Sequence, residues 1–593
     1  MRLTNVAHLR VPFGRLIGYD VTVGPLGASL PVSFDQRRHV GAGERAGSWM
    51  ALSLRLPEPV PPDDLAAAWL AVIARHGTLR SVFVPGDDGE PALHQVEVSA
   101  GAWVEHPIAP GQAVNDALRD VLDRACTPYH RPSHRLCMIE TATEPTIVVA
   151  ADHSHVDMWS MLVIARDLLT ALGAVRSGRK PGLAATPAFA EHTLALRERP
   201  PAPPEIHRRW AEVLAASGDT MPRFPLPLFG SDPGTSGPER ERVEVRDVLD
   251  VDDSAAFAAQ AREDGVSTLA LVVAAMTAVT HDLAGTPLRA VFPVHSRYDA
   301  IWHDSVGWFI TNSVLESGDP DPSASAAAVR EAVALGSWPL EEILRPWGGM
   351  PEPPGMFAIS WLDLRRLPVR VDATGLEAQY VSARILTDGV MLWFMLDETG
   401  LHLRCRYPDT DEARRHVGAW LDALVSRLRA RARASVGGRL RLGGRTYRVQ
   451  RATRADVPAL VALLSDDPIG RAREGAELAR YEAAYDAVAH DSSHYLAVVR
   501  DEDEEIVGTM QLTIIPGLSR GGTTRLQIEG VRIAPGARGH GLGTAMLAWA
   551  HDHGRARGAT LAQLTTDLAR DRARAFYARL GYQESHAGLK RTL

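Results

Sequence analysis

The stretch Thr146–Ser160, TIVVAADHSHVDMWS, constrains the fold of this chain more than any other. Ile147–Ala151 is an apolar, largely β-branched run that ends abruptly at charge, which predicts a buried strand. Asp152, His153, His155 and Asp157 then fall into a single turn. From Met158 onward, Met161, Ile164, Leu168 and Leu169 recur at helical spacing and predict an amphipathic helix. Strand and helix together press ionisable groups between two apolar surfaces, and such groups are costly unless paired or used. On these residues alone two readings stand. One is a polar turn whose His and Asp satisfy each other. The other is a metal site, since two imidazoles and a carboxylate at His153-x-His155-x-Asp157 can converge on zinc.

At 593 residues the chain exceeds what a single hydrophobic core serves, and about two to four domains are expected. Its 45% apolar and 23% charged residues are ordinary for a globular protein. A formal net charge of -8 gives no reason to expect nucleic acid or an anionic membrane as partner. Cys126, Cys137 and Cys405 are odd in number and scattered, which argues against a disulfide framework or a structural zinc cluster. The opening MRLTNVAHLRVPFGRL lacks the apolar core of a signal peptide, and no later run reads as long enough to span a membrane. The expectation is a reduced, cytoplasmic protein.

The rest of the first 430 residues supplies a series of motifs. PVSFDQRRHV begins at Pro31, and a helix predicted from Pro62 places Leu65, Trp69, Leu70 and Ile73 on one face before RHGTLRSVF. RLCMIE and TIVVAA read as paired strands leading into DHSHVDMWS. Pro- and Gly-rich stretches at 199–204 and 219–237 flank a short helix, EIHRRWAEVLAAS. GVSTLALVVAAMTAVTHDLAG reads as a buried helix, followed by LRAVFPVHSRYDAIW, SVGWFITNSVLE and two further apolar strands. His76 and Arg80 read as surface or cap residues, and Trp308, Trp361 and Trp393 as packing.

In that order, these motifs resemble those of nonribosomal peptide condensation domains: PLSxAQxRLW, RHxxLRTxF, HHxxxDGxS and GFFVNTLPLR. The resemblance covers about residues 28–430. It implies an α/β fold of two chloramphenicol acetyltransferase-like lobes with the histidine loop at the floor, carrier-bound donor and acceptor entering from opposite faces. Placed on the family motif, Asp152 takes the first His position, His153 the second, Asp157 the Asp and Met158 the Gly. The resemblance makes His153 the catalytic residue, an imidazole that takes a proton from the attacking nitrogen or orients it. It makes Asp157 and Arg297 of PVHSRYD a structural ion pair, and leaves His155 at a variable position. Two departures stand out. Asp152 introduces an anion, which raises the pKa of a nearby His153, and Met158 adds a flexible side chain that narrows the acceptor channel. DHSHVDM also resembles the HxHxDH loop of metallo-β-lactamases, but Met158 stands at that family's next histidine and no downstream ligand set follows. The motif order therefore favours acyl transfer, with no metal.

RLRARARASVGGRLRLGGRTYR reads as a helix end followed by a linker with Gly turns. From Tyr447 the pattern is strand, the helices DVPALVALLS and REGAELARYEAAYDAV, the hairpin YLAVVRDEDEEIVGTMQLTII, and the strand RLQIEGVRIAP. ARGHGLGTAMLAWAHDHGRARG follows, a Gly-rich turn opening a helix whose free N–H groups can hold a pyrophosphate. With LTTDLARDRARAFYARLGYQESHAGLK, the segment resembles the GCN5-related N-acetyltransferases (GNAT). That resemblance implies that Arg538, Gly539, His540, Gly541, Leu542, Gly543 and Thr544 bind the CoA pyrophosphate. It further implies that Tyr577 protonates the departing thiolate, with Glu529 the candidate base. Arg570 falls where the family often has an Asn.

The expected organisation is a condensation-like domain over 1–434 (lobes about 1–178 and 179–434), a linker over 435–446, and a GNAT mixed α/β domain over 447–593. The expected function is a bifunctional acyltransferase of natural-product biosynthesis. The first part forms an amide between a small-molecule amine and a phosphopantetheine- or CoA-bound acyl group, delivered in trans by an acyl or peptidyl carrier protein. The second uses acetyl-CoA to acetylate an amine. The alternatives make the first part an O-acyltransferase, or a non-catalytic module that recruits a carrier for the acetyltransferase.

Overall fold

The computed structural model describes residues 2–86, 89–230, 237–434, 437–466, 471, 474, 477–491, 493–586 and 591. They form two compact units, Met1–Val248 with Leu269–Val425, and Leu249–Thr268 with Ser426–Leu593.

The first unit rests on two sheets. In the eight-stranded one, Trp49–Arg55, Thr146–Asp152 and His134–Glu140 are adjacent and antiparallel. Every residue of Thr146–Asp152 is buried because both faces of the sheet are covered. Ile147, Val149 and Ala151 pack with the helices Pro62–Arg75 and Met158–Arg176, while Val148 and Ala150 pack with the helix Val114–Ala125. This double coverage explains a strand without polar alternation. The helix Met158–Arg176 is long and apolar enough to cross a membrane, which corrects the reading of run lengths made above. Most of it is buried in this core, and it carries Asp167, which His76 Nε2 meets at 2.8 Å and Arg75 Nη1 at 2.7 Å. His76 is thus a buried ion-network residue, not a surface one.

The seven-stranded sheet comes from the second half of this unit, with Leu288–His295 between Ile310–Ser317 and Phe357–Asp363. The two halves are not separate in sequence. Gln379–Ser382 leaves the second half to pair parallel with Arg2–Asn5 and antiparallel with Trp49–Arg55 in the first sheet. A lobe boundary at residue 178 therefore misses one strand, because a four-residue segment carries too little pattern to reveal its sheet.

The second unit has a six-stranded sheet in the order Gly438–Leu442, Arg445–Arg451, His494–Arg500, Ile506–Ile515, Arg525–Ile533, Leu561–Leu564, with the last pair parallel. The stretch expected to be linker instead supplies its first strand. Gly443 and Gly444, at φ +56° and +83°, make the turn that folds Gly438–Leu442 back on Arg445–Arg451. The helix expected from REGAELARYEAAYDAV is seen as Leu478–His490, and residues 472, 473, 475 and 476 lie outside the described residues. The helix Val251–Glu263 also belongs here: Arg451 meets Asp250 at 3.0 Å, Asp252 at 3.3 Å and Asp253 at 2.9 Å. Arg557 closes on Asp252 as well, and Arg439 on Glu263 at 2.7 Å.

Candidate active sites

In the first unit, Asp157 caps the helix Met158–Arg176 by accepting from the Ser160 N–H at 2.6 Å. The same carboxylate accepts from Arg297 Nη1 at 2.7 Å and from the Phe309 N–H at 3.0 Å. Arg297 also donates to Ser160 Oγ at 2.8 Å and to the Ser305 carbonyl at 3.1 Å, with Phe309 and Trp159 facing its guanidinium. Burial opposes ionisation of Asp157, but Arg297 outweighs it and holds the carboxyl below its ordinary value. Gly307 is needed where it stands. Its N–H and carbonyl both bond Ser160 Oγ, and a Cβ would come within 2.4 Å of Phe189.

His153 is held by its N–H to the Ser48 carbonyl at 3.0 Å. Its ring lies 4.3 Å from that of Trp308 and 6.1 Å from that of His39, between centroids. Burial keeps the His153 imidazole below its ordinary pKa, which favours its neutral form. The field of Asp152 acts to raise that pKa, in the direction expected, and is outweighed by burial, so the net value is lowered. Asp152 itself is buried yet ionised. Burial opposes this, but His39, Ser154 and Ser48 carry it down to about 2. His155 points elsewhere: Ser154 Oγ meets its Nδ1 at 2.9 Å and the Ser81 carbonyl faces its Nε2 at 3.2 Å. The Met158 carbonyl accepts from Tyr380 Oη at 2.6 Å, and its side chain packs against the core beneath.

The structure therefore gathers Asp152, His153, Asp157 and Arg297, and leaves His155 aside. It adds Trp308, read from sequence as packing, and His39, which sequence reasoning passed over. The signal for His39 lay in PVSFDQRRHV. Ser33 caps the helix Phe34–Gly41 reciprocally with Gln36. Gln36 Nε2 reaches the Ser154 carbonyl at 2.8 Å, and His39, three residues on, shares that helix face.

In the second unit, Gly539 and Gly541 have φ of +85° and +83°, and the helix Leu542–Ala556 starts at Gly541 with no side chain capping it. Among the described residues no side chain accepts from its first-turn N–H groups, as an anion-binding turn requires. Leu542 is buried, His540 and Thr544 are exposed, and Gly543 lies where a Cβ would meet Ile533 and Phe576 at 3.1 and 3.2 Å. Arg538 is engaged with Asp466 and donates to the Ile533 carbonyl at 2.8 Å. Glu529 is an exposed residue opposite Gln511, beside a register shift in that strand pair and next to Gly530 at φ +60°. Burial raises the Tyr577 phenol, and Arg532 and Arg570 oppose it. The donor set fits a CoA pyrophosphate at the Gly-rich turn.

A histidine loop pinned by one buried ion pair, on an α/β frame whose halves share a sheet, defines a chloramphenicol acetyltransferase-like condensation fold. Residues 38–329 match the Condensation domain family, and residues 457–582 the Acetyltransferase (GNAT) family. The chain carries a condensation-type domain followed by a GNAT domain, and its relatives include nonribosomal peptide synthases. It is 28% identical over 338 residues to the isonitrile lipopeptide synthase of Mycobacterium tuberculosis, covering 51% of this chain and 13% of that protein. To the dimodular nonribosomal peptide synthase of Bacillus subtilis it is 26% identical over 326 residues, again 51% of this chain and 13% of that protein. The chain thus spans about an eighth of the length of these relatives. Among solved structures, the PapA2 acyl transferase superposes with a TM-score of 0.64 at 20% identity, over 73% of this chain and all of that one. The first condensation domain of the calcium-dependent antibiotic synthetase gives 0.52 at 17% identity, over 69% and 97%.

Proposed function

We propose that the first unit forms an amide between a thioester-bound acyl group and a small-molecule amine, and that the GNAT domain acetylates an amine from acetyl-CoA. What carries the first reading is a neutral imidazole at His153, held on a loop that Asp157 and Arg297 fix from beneath. As the amine nitrogen attacks the thioester carbon, the C–N bond forms and the C–S bond breaks. His153 accepts the proton from that nitrogen, and the proton goes on to the departing sulfur. Condensation domains act on carrier-bound thioesters, so a carrier protein is the donor's source in this reading. In the GNAT domain, acetyl-CoA supplies the activated acetyl group. The turn Arg538–Thr544 holds its pyrophosphate, Glu529 takes the proton of the incoming ammonium, and Tyr577 protonates the sulfur. The free, buried state of Cys126, Cys137 and Cys405 suits a reduced, cytoplasmic setting.

The test is single-turnover acyl transfer from a loaded carrier to matched amine and alcohol acceptors. His153→Ala is expected to lose about 10²–10⁴-fold and His155→Ala little. Preference for the alcohol would make the first unit an O-acyltransferase. Unchanged transfer by both variants would make it a binding module.

A further inference from the structure

Asp152 stands where the family motif has a histidine, and the structure brings a histidine to it from another helix. His39 Nε2 lies 3.2 Å from Asp152 Oδ1 and 3.3 Å from Oδ2. On the other side of the ring, Arg45 Nη2 is 2.9 Å from His39 Nδ1, and Arg45 Nη1 donates to the His39 carbonyl at 2.8 Å and the Gly43 carbonyl at 3.2 Å. A guanidinium has only hydrogens to offer, so Nδ1 is the acceptor and Nε2 carries the proton given to Asp152. Asp152 is closed in further by Ser48 Oγ at 2.5 Å, Ser154 Oγ at 2.5 Å and the Ser154 N–H at 2.9 Å. Ser48 also holds His153 through its carbonyl. The groups acting on His153 are therefore Asp152 and Asp157 on its own loop, with Arg297 behind Asp157, and His39 from the entry helix, which Arg45 backs from the turn after it. Uncharged Trp308 lies against its ring.

We propose that His39 is a positioning residue for His153: an uncharged bridge between Arg45 and Asp152 that tempers the pull of the Asp152 carboxylate and keeps His153 free of a proton. The bridge spreads the negative charge of Asp152 toward Arg45. Without it, the carboxylate acts on His153 unshared, and the imidazole holds its proton to higher pH. Gln can replace such a bridge, because its amide donates to Asp152 and accepts from Arg45. Leu cannot. The inference rests on the proton-handling role proposed for His153, and its test is independent of acyl transfer.

The experiment is an NMR titration of the full chain with labelled histidines, His153 being assigned by the signal lost in His153→Gln. In His39→Leu the His153 midpoint is expected to rise by about half a unit or more, and in His39→Gln to stay within about 0.2 unit of the parent. Transfer at pH 6.5 is expected to fall on the order of tenfold in His39→Leu and to be restored in His39→Gln. An unmoved or lowered midpoint in His39→Leu, or an equal shift in both variants, overturns the bridge. If His39→Leu does not fold, the nitrogen shifts of the unaltered protein decide: the Nε2–H tautomer at His39 supports the bridge, and the Nδ1–H tautomer overturns it. A raised midpoint in His39→Leu, with His153→Ala still fully active, supports the bridge while refuting the catalytic role of His153.

Discussion

Arg297 closes on Asp157 across 140 residues of chain, Nη1 to Oδ2 at 2.7 Å, with both side chains almost wholly buried. Removing either partner strands the other at a site buried from solvent. Arg297→Ala or Asp157→Ala is expected to cost about 3–5 kcal/mol, read as a lowered melting transition of the first unit together with lost transfer. The double reversal Asp157→Arg with Arg297→Asp is expected not to recover. The Ser160 and Phe309 N–H groups need an acceptor at residue 157, whichever charge sits opposite. Recovery to near parental stability would show that charge alone holds the site.

The pH dependence of transfer follows from His153. Only the unprotonated imidazole takes a proton, and burial lowers its pKa. Activity should therefore fall on the acid side with a midpoint below about 6.5, the ordinary imidazole value. Asp152 favours the imidazolium, so Asp152→Asn should move that midpoint to still lower pH. A plot of kcat/KM against pH for both proteins checks the sign, and an upward move in Asp152→Asn would contradict it.

Arg451 makes the sign of a substitution depend on where the chain is cut. In the full chain it is enclosed by Asp250, Asp252 and Asp253, and Arg451→Met should lower stability by stranding them. A fragment of residues 437–593 lacks those carboxylates, and there the same change should be neutral or stabilising. Thermal melts of the four proteins, with acetyl-CoA titrated into each, test this. A fragment insensitive to residue 451, with the full chain equally insensitive, would show that the ion cluster contributes nothing.

Gly541 has φ +83° at the start of the helix Leu542–Ala556. Gly541→Ala is expected to cost about 1–2 kcal/mol of local strain and to weaken acetyl-CoA binding by calorimetry, since the N–H groups that meet the pyrophosphate would be re-aimed. Gly558, also at positive φ but after the helix end, serves as the control. Equal loss of binding at both glycines would assign the effect to strain and contradict a role for the turn at Gly541.

Much of this was readable because the burial is extreme. An unbroken TIVVAA run means a strand covered on both faces, and Thr146–Asp152 is that strand. The pairing of Asp157 with Arg297 was readable only from their places in the motif series, since no local pattern links residues 140 apart. His39 was hidden for a different reason. Its direction depends on the reciprocal Ser33–Gln36 cap, which fixes the helix face presented to Asp152, and propensity carries no such information. The helix Val251–Glu263 was hidden because three aspartates at a helix start read as solvated caps. The distant Arg451, with Arg557 at Asp252, gives them other partners.

That helix also sets an order in time. Asp250 leaves the ribosome 201 residues ahead of Arg451, a gap of roughly 10–40 seconds at ordinary elongation rates. For that interval the strand Glu239–Leu249 before it and the helix Thr268–Ala284 after it are already available to the earlier unit. The acidic segment between them must wait, hydrated, until the last quarter of the protein is made. A nascent chain stalled before residue 451 would therefore hold out three carboxylates whose counter-ion has not yet been translated.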